Sequence, residues 1–303
     1  MNDWMNQLTE LCDVLEYEPM SKHTTYRVGG KVRYFVYPKN EIALMRLLQL
    51  AKNYHVETKI VGKGSNILFS DDDYDGIIIC LDRYLNEVIF EKNHVTAYSG
   101  QSIIYVAYEA MKRGLSGLEF ASGIPGTVGG ACFMNAGAYK SEMKDIIEEV
   151  WVLKEDNTCV WMNVNECEFA YRTSIFKTHP EWIILAVRFK LVEKDQKEIK
   201  EVMDNRRERR LATQPLDKPN AGSVFKNPEG NFAWKLIDEC NLRGMSINGA
   251  KVSEKHSNFI VNENREATAK DILDLIQHIQ KTVYDRINIS LKTEVECFNW
   301  KKN

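Results

Sequence analysis

The chain carries almost no excess of either charge: 40 basic residues face 43 acidic ones over 303 positions, a formal net charge of −3. That balance excludes the broad basic field that gathers nucleic acid or an anionic membrane, so any anionic ligand must be met by a local site. Long apolar runs are missing as well. Nothing approaches the ~18 apolar residues that a spanning helix needs, and the start of the chain mixes Asp3, Glu10, Asp13 and Glu16 among its apolar residues, unlike a signal peptide. A cytoplasmic protein is expected. The seven cysteines, Cys12, Cys80, Cys132, Cys159, Cys167, Cys240 and Cys297, are scattered and form no CxxC pair, so reduced thiols are expected, with no disulfide and no metal site.

What is present is ordinary globular composition, 44% hydrophobic and 10% aromatic, in a chain long enough for two domains or three small ones. Apolar residues recur at helical spacing between positions 41 and 54, and 77–81 reads as a buried strand. Ser102 is placed to cap a helix carrying Ile103, Val106, Ala107, Ala110 and Met111, stopped by Gly114. Residues 150–154 and 158–162 predict a hairpin, and 182–191 a further strand. A charged stretch over 194–210 suits a linking helix with a solvated face and a domain boundary near its end. Beyond it, Asn231 is expected to cap a helix through Leu236, Ile237 and Cys240. Thr268 with Asp271 forms a capping box ahead of Ile272, Leu275, Ile276, Ile279 and Val283, and 289–298 alternates as a terminal strand. The order is α+β rather than regular βαβ.

Two glycine-rich strings carry the first chemical signal. Val61-Gly62-Lys63-Gly64-Ser65-Asn66-Ile67-Leu68 follows an apolar segment, and a phosphate-binding nest and a plain turn fit it equally well. It lacks the upstream glycine of the nucleoside-triphosphate loop. Ser122-Gly123-Ile124-Pro125-Gly126-Thr127-Val128-Gly129-Gly130-Ala131, followed by Asn135-Ala136-Gly137-Ala138-Tyr139, points to a bound ligand, with a purely structural role as the other reading. It matches the Gly-x-Gly-x-x-Gly fingerprint poorly, which argues against a Rossmann domain. Arg172 stands among aromatic residues, where its guanidinium fork suits a carboxylate or a surface ion pair. Ser223 follows a glycine without the spacing of a hydrolase elbow. Glu294 shares a strand face with Lys292 and Glu296, which by itself reads as solvated.

In this order, over residues 23–298, these segments resemble the UDP-N-acetylenolpyruvoylglucosamine reductase family. The most specific matches are Gly-Ile-Pro-Gly-Thr-Val-Gly-Gly, Tyr-Arg-Thr-Ser, Ala-Gly-Ser-Val-Phe-Lys-Asn-Pro and the stretch from Val252 to Asn262. The short distance from Arg172 to Ser223 is similar to the second type of the family, which lacks a substrate-covering insertion. The resemblance implies a vanillyl-alcohol-oxidase-like (PCMH-type) FAD fold: FAD-binding subdomains over 1–82 and 83–205, and a C-terminal substrate domain over 206–303. FAD would be held by Tyr26, by Gly62, Lys63, Gly64, Ser65, Asn66 and Ile67, by Ser122, Gly123, Ile124, Pro125, Gly126, Thr127, Gly129 and Gly130, and by Asn135, Gly137 and Ala138.

NADPH would reduce the flavin, and the UDP-linked enolpyruvyl sugar would then take a hydride on its methylene carbon. Arg172 and Glu294 would hold the substrate carboxylate, with Glu294 protonated or hydrogen-bonded, and Ser223 would protonate the adjacent carbon. Asn227 and Lys251 are further candidates for substrate contact. A monomer is expected. Two departures from the family pattern stand out: His23 in place of asparagine, and Asn248 in place of a common glycine. A flavin oxidase of the same fold and a nonenzymatic nucleotide-binding module are the competing functions; neither needs a proton-donating serine.

Overall fold

Leu44, Leu47 and Leu50 lie on one face at helical spacing, and the chain forms a helix over Glu41–Asn53 whose first turn is capped by Asn40, its side chain accepting from the Ala43 N–H. That face is buried with Trp4, Leu8, Ile77, Ile79 and Leu185 in one apolar cluster. The computed structural model describes residues 3–300. The chain divides into two units built from interleaved segments. The first comprises residues up to Glu16, Tyr34–Gly62 and Gly76–Glu208; the second comprises Tyr17–Arg33, Lys63–Asp75 and the chain from Arg209 onward.

A four-stranded sheet drawn mainly from the first unit has the order Cys12–Pro19, Lys31–Pro38, Tyr74–Cys80, Thr58–Val61, with the last pair parallel. A five-stranded antiparallel sheet has the order Cys159–Asn163, Ile147–Leu153, Ile183–Lys190, His94–Tyr98, Val88–Glu91. The hairpin expected around Asn157 forms, with Trp151 opposite Trp161 and Asn157 in the left-handed region at φ 63°. The helix Ile103–Lys112 begins after Ser102 as expected, but the serine hydroxyl makes no capping bond. Instead, Gln101 Oε1 accepts from the Ser102 N–H at 2.7 Å. The charged stretch forms the helix Gln196–Thr213, which buries only Ile199 and Met203.

The second unit centres on the helix Ala269–Ile287. Its capping box closes in both directions, Thr268 Oγ1 accepting from the Asp271 N–H at 3.1 Å and the Asp271 carboxylate accepting from the Thr268 N–H at 2.8 Å. Ile272, Leu275, Ile276, Ile279 and Val283 are buried with Val224, Phe225, Leu236, Ile237 and Ile260. Two expectations need correction. The helix Ala233–Glu239 is not capped by Asn231; Asn227 Oδ1 accepts from the Ala233 N–H at 3.0 Å, because the 223–228 loop folds back onto the helix start. The terminal strand spans only Glu296–Phe298, parallel to Ile67–Phe69. Just before it, the backbone bonds instead to residues 224–226, with the Lys226 N–H donating to the Lys292 carbonyl at 2.9 Å.

Asn248 has φ 46°, a conformation that glycine adopts at no cost and asparagine tolerates. Its Nδ2 donates to Asp271 Oδ1 at 2.7 Å, so the departure from glycine adds a bond. His23 likewise has a partner, with Nε2 3.0 Å from Glu18 Oε1. Burial pushes the Asp271 carboxyl up, but hydrogen bonds from Asn248 and Thr268 outweigh it and hold the group below its ordinary value. A folded-state value below the unfolded one stabilises the fold above the ordinary aspartate value of about 3.9 and is lost as pH falls below it. Asp271→Asn is therefore expected to lower stability by about 0.5–1 kcal/mol at neutral pH. In urea titrations across pH, the deficit should shrink in acid; one that persists undiminished there would contradict the assignment.

Candidate active site

The first glycine string leaves the strand Thr58–Val61 at Gly62. A Cβ at Gly62 would lie 2.6 Å from Thr127 Oγ1, so the second glycine string packs against the first at this point. Gly64 is left-handed at φ 59°, and a Cβ there would overlap the His23 carbonyl oxygen. The Gly64 carbonyl accepts from the Thr25 N–H at 3.2 Å. The amides of Lys63, Gly64 and Ser65 donate to no partner among the described residues. Consecutive free amides around a left-handed glycine form the concave arrangement that binds anions.

In the second string the amides divide into two groups. The Val128 N–H donates to the Gln101 carbonyl at 2.8 Å, Gly129 to the Ser99 carbonyl at 2.9 Å, and Gly130 to Thr127 Oγ1 at 3.2 Å. Those three are committed inward. A Cβ at Gly129 would sit 2.7 Å from Ser99 Cβ, so this glycine serves close packing. The amides of Ser122, Gly123 and Gly126 have no acceptor among the described residues. Asn135, expected to contact the cofactor, is fully buried, and its side chain is taken up by the Ala170 carbonyl and the Lys144 N–H. Gly137 and Ala138 begin a tight hairpin with Ser141 and Glu142. Arg172, also in the first unit, donates from Nη2 to the Gly137 carbonyl at 2.8 Å.

In the second unit, Ser223 follows left-handed Gly222, whose N–H is held by Asn220 Oδ1 at 2.9 Å. The Ser223 hydroxyl is half-buried and has no hydrogen-bond partner among the described residues. One residue on, the Val224 carbonyl accepts from the Glu294 N–H at 2.7 Å. Asn66 Nδ2 donates to the Glu294 carbonyl at 3.0 Å, and the Asn66 carbonyl accepts from the Glu296 N–H at 2.9 Å. The structure thus brings together the first glycine string, the serine loop and Glu294. Asn258 fastens the serine loop: its side chain takes both the N–H and the carbonyl of Phe225, at 3.0 and 2.9 Å. Asn262 does the same service for Tyr26, donating to its carbonyl at 2.9 Å. The stretch holding these asparagines was a recognisable motif without a role; two buried amides are the signal that it braces the site.

Tyr26 is fully buried, and its hydroxyl meets no partner among the described residues. Burial pushes this phenol well above its ordinary value. An orphaned buried hydroxyl costs about 1–3 kcal/mol, which a polar ligand atom would offset. Lys251, a candidate for substrate contact, instead pairs with Glu254 at 2.9 Å and Glu263 at 3.2 Å, and Glu263 also pairs with Lys218. Asn227 is occupied in part by the helix cap. Among the described residues, all seven cysteines are free thiols, no group of three His, Cys, Asp or Glu side chains could hold a metal, and no helix is long and apolar enough to cross a membrane.

Residues 32–163 match the FAD binding domain family, and residues 214–298 match the family described as UDP-N-acetylenolpyruvoylglucosamine reductase, C-terminal domain. Proteins named UDP-N-acetylenolpyruvoylglucosamine reductase from Anoxybacillus flavithermus and Bacillus subtilis are 42% and 41% identical, each covering 95% of this chain, which spans 95% and 94% of theirs. A crystal structure of the reductase from Thermus caldophilus is 32% identical and superposes with a TM-score of 0.81 over 95% of this chain and 99% of that one. The BBE-like 1 protein of Physcomitrella patens, 17% identical with a TM-score of 0.50 over 63% of this chain and 45% of that one, shares the fold.

Proposed function

The chain belongs to the UDP-N-acetylenolpyruvoylglucosamine reductase family, and from that premise we propose how its own residues divide the work. It is an FAD-dependent oxidoreductase that reduces the enolpyruvyl group of a UDP-linked N-acetylglucosamine in peptidoglycan precursor synthesis, on a vanillyl-alcohol-oxidase-like fold. The residues fit the cofactor. The open amides of Lys63, Gly64 and Ser65 and those of Ser122, Gly123 and Gly126 suit its diphosphate, and the orphaned Tyr26 hydroxyl suits a polar atom. Held there, FAD would supply the hydride-transfer chemistry that links NADPH to the enolpyruvyl methylene carbon.

The protein's task is then to manage the charge and the proton. Arg172 offers a guanidinium fork to the substrate carboxylate, and Glu294, carrying a proton, donates a hydrogen bond to it, so that negative charge on the adjacent carbon delocalises into an enol-like form. Ser223 donates its hydroxyl proton to that carbon. Serine is a weak acid, and the carbanion is a strong enough base to take the proton. Lys251 would meet a substrate diphosphate only by exchanging Glu254 or Glu263 for it. On this proposal the enzyme works in the cytoplasm as a monomer acting on small molecules, with no nucleic acid or membrane partner.

The observation that carries this proposal is the unpartnered Ser223 hydroxyl one residue from the backbone that anchors Glu294. The test is optical. Purified protein should be yellow, bleach anaerobically with NADPH, and recover its colour faster with the enolpyruvyl sugar than with oxygen. Recovery with oxygen alone would make it an oxidase.

A further inference from the structure

Arg172 lies in a four-residue turn in which Ala170 and Thr173 exchange backbone hydrogen bonds of 3.2 Å each. Its φ is 55°. A non-glycine residue held there costs on the order of 1 kcal/mol or more and stays only where its surroundings over-determine it. Freed, the backbone would relax to negative φ, and the guanidinium at the end of its long side chain would swing away.

The restraint comes from one short stretch of the first unit. Asn135 donates from Nδ2 to the Ala170 carbonyl at 2.9 Å, at the start of the turn. Ser174, just past its end, donates from Oγ to the Phe133 carbonyl at 2.7 Å. Arg172 itself reaches the Gly137 carbonyl at 2.8 Å. Residues 133–137 thus grip the turn at three points. Asn135 is the central anchor: fully buried, left-handed at φ 42°, with its Oδ1 held by the Lys144 N–H at 3.0 Å. Both ends of its amide are spent within the protein.

We infer that Asn135 is a positioning residue for Arg172, holding the strained turn so that the guanidinium is set before substrate arrives. This deepens the proposed reaction and rests on the role given there to Arg172. The position needs a donor toward Ala170 and an acceptor toward Lys144 on one short side chain, which asparagine supplies and aspartate and alanine do not.

The test uses the FAD-loaded enzyme and its two half-reactions separately. In Asn135→Ala, FAD content and anaerobic bleaching by NADPH should stay within about twofold of the parent. Reoxidation by the enolpyruvyl sugar should slow by about 10- to 100-fold, the scale of a misplaced reacting group. In an Arg172→Ala background the same change should cost less than about twofold more, since the group it positions is gone. Ser174→Ala removes a second anchor at smaller structural risk and should show the same pattern in weaker form, which serves if Asn135→Ala does not fold. Equal slowing of both half-reactions, or costs that add in the double variant, would overturn the inference. Arg172→Ala reoxidising at the parent rate would overturn the role of Arg172 itself, and the inference with it.

Discussion

Replacing Ser223 by alanine is expected to leave FAD bound and NADPH bleaching intact while turnover of the sugar falls by about 10² to 10⁴, the range for a positioned general acid. That corresponds to roughly 2.7 to 5.4 kcal/mol of transition-state stabilisation. The structure gives two reasons to expect so selective an effect. The hydroxyl is not used to hold the fold, having no partner among the described residues, so its removal strands no buried donor or acceptor. The loop around it is fixed by other groups, Asn220 on Gly222 and Asn258 on Phe225, so its shape survives the change. Rapid-mixing absorbance at the flavin band separates the two steps. Parent-like sugar turnover would remove Ser223 from the mechanism.

Gly64→Ala is expected to cost the protein its flavin. At φ 59° an alanine is strained, and its methyl group would overlap the backbone oxygen of His23, which cannot rotate away as a side-chain tip can. The loop must shift, and with it the three open amides from Lys63 to Ser65. FAD affinity should fall by at least about tenfold, the equivalent of a single 1.4 kcal/mol contact, measured by flavin retained on dialysis. Gly222→Ala is the matched control. It too is left-handed, at φ 75°, but nothing lies within 4 Å of the added carbon. It should show a modest drop in melting temperature and keep its colour. Equal flavin loss in both variants would mean that backbone strain, not the collision, is responsible.

Much of the fold was legible because its signals are local. The helix Ala269–Ile287 was marked by its capping box and apolar face, and the hairpin at Asn157 by two β-rich runs across a polar turn. Misplaced features were those decided by partners outside the element itself. Asn231 sat where a cap belongs, but Asn227 arrives from the preceding loop and takes the bond. The alternation over 289–298 suggested one strand, yet its first half pairs with a loop some 70 residues earlier in the chain. The site shows the same limit. Glycine spacing pointed to an anion, but only the hydrogen-bond pattern separates the open amides at Ser122, Gly123 and Gly126 from the committed ones at Val128, Gly129 and Gly130. By itself the strand face of Glu294 reads as solvated, and only the structure shows its backbone tied to Asn66 and Val224.

The interleaving of the second unit has a consequence for how the protein is made. Asn66 waits for a carbonyl 228 residues further along the chain, and Asn262 closes on a carbonyl 236 residues behind it. At synthesis rates of about 5–20 residues per second, the first of these gaps is a delay of roughly 11 to 46 s. During it the nascent first glycine string has no Glu294 segment to dock against. Contacts of such long separation also fold slowly once they are available. The first glycine string is therefore among the first parts translated and among the last completed, so a chain shortened at its C-terminus by even the last strand should emerge unable to hold that string in place.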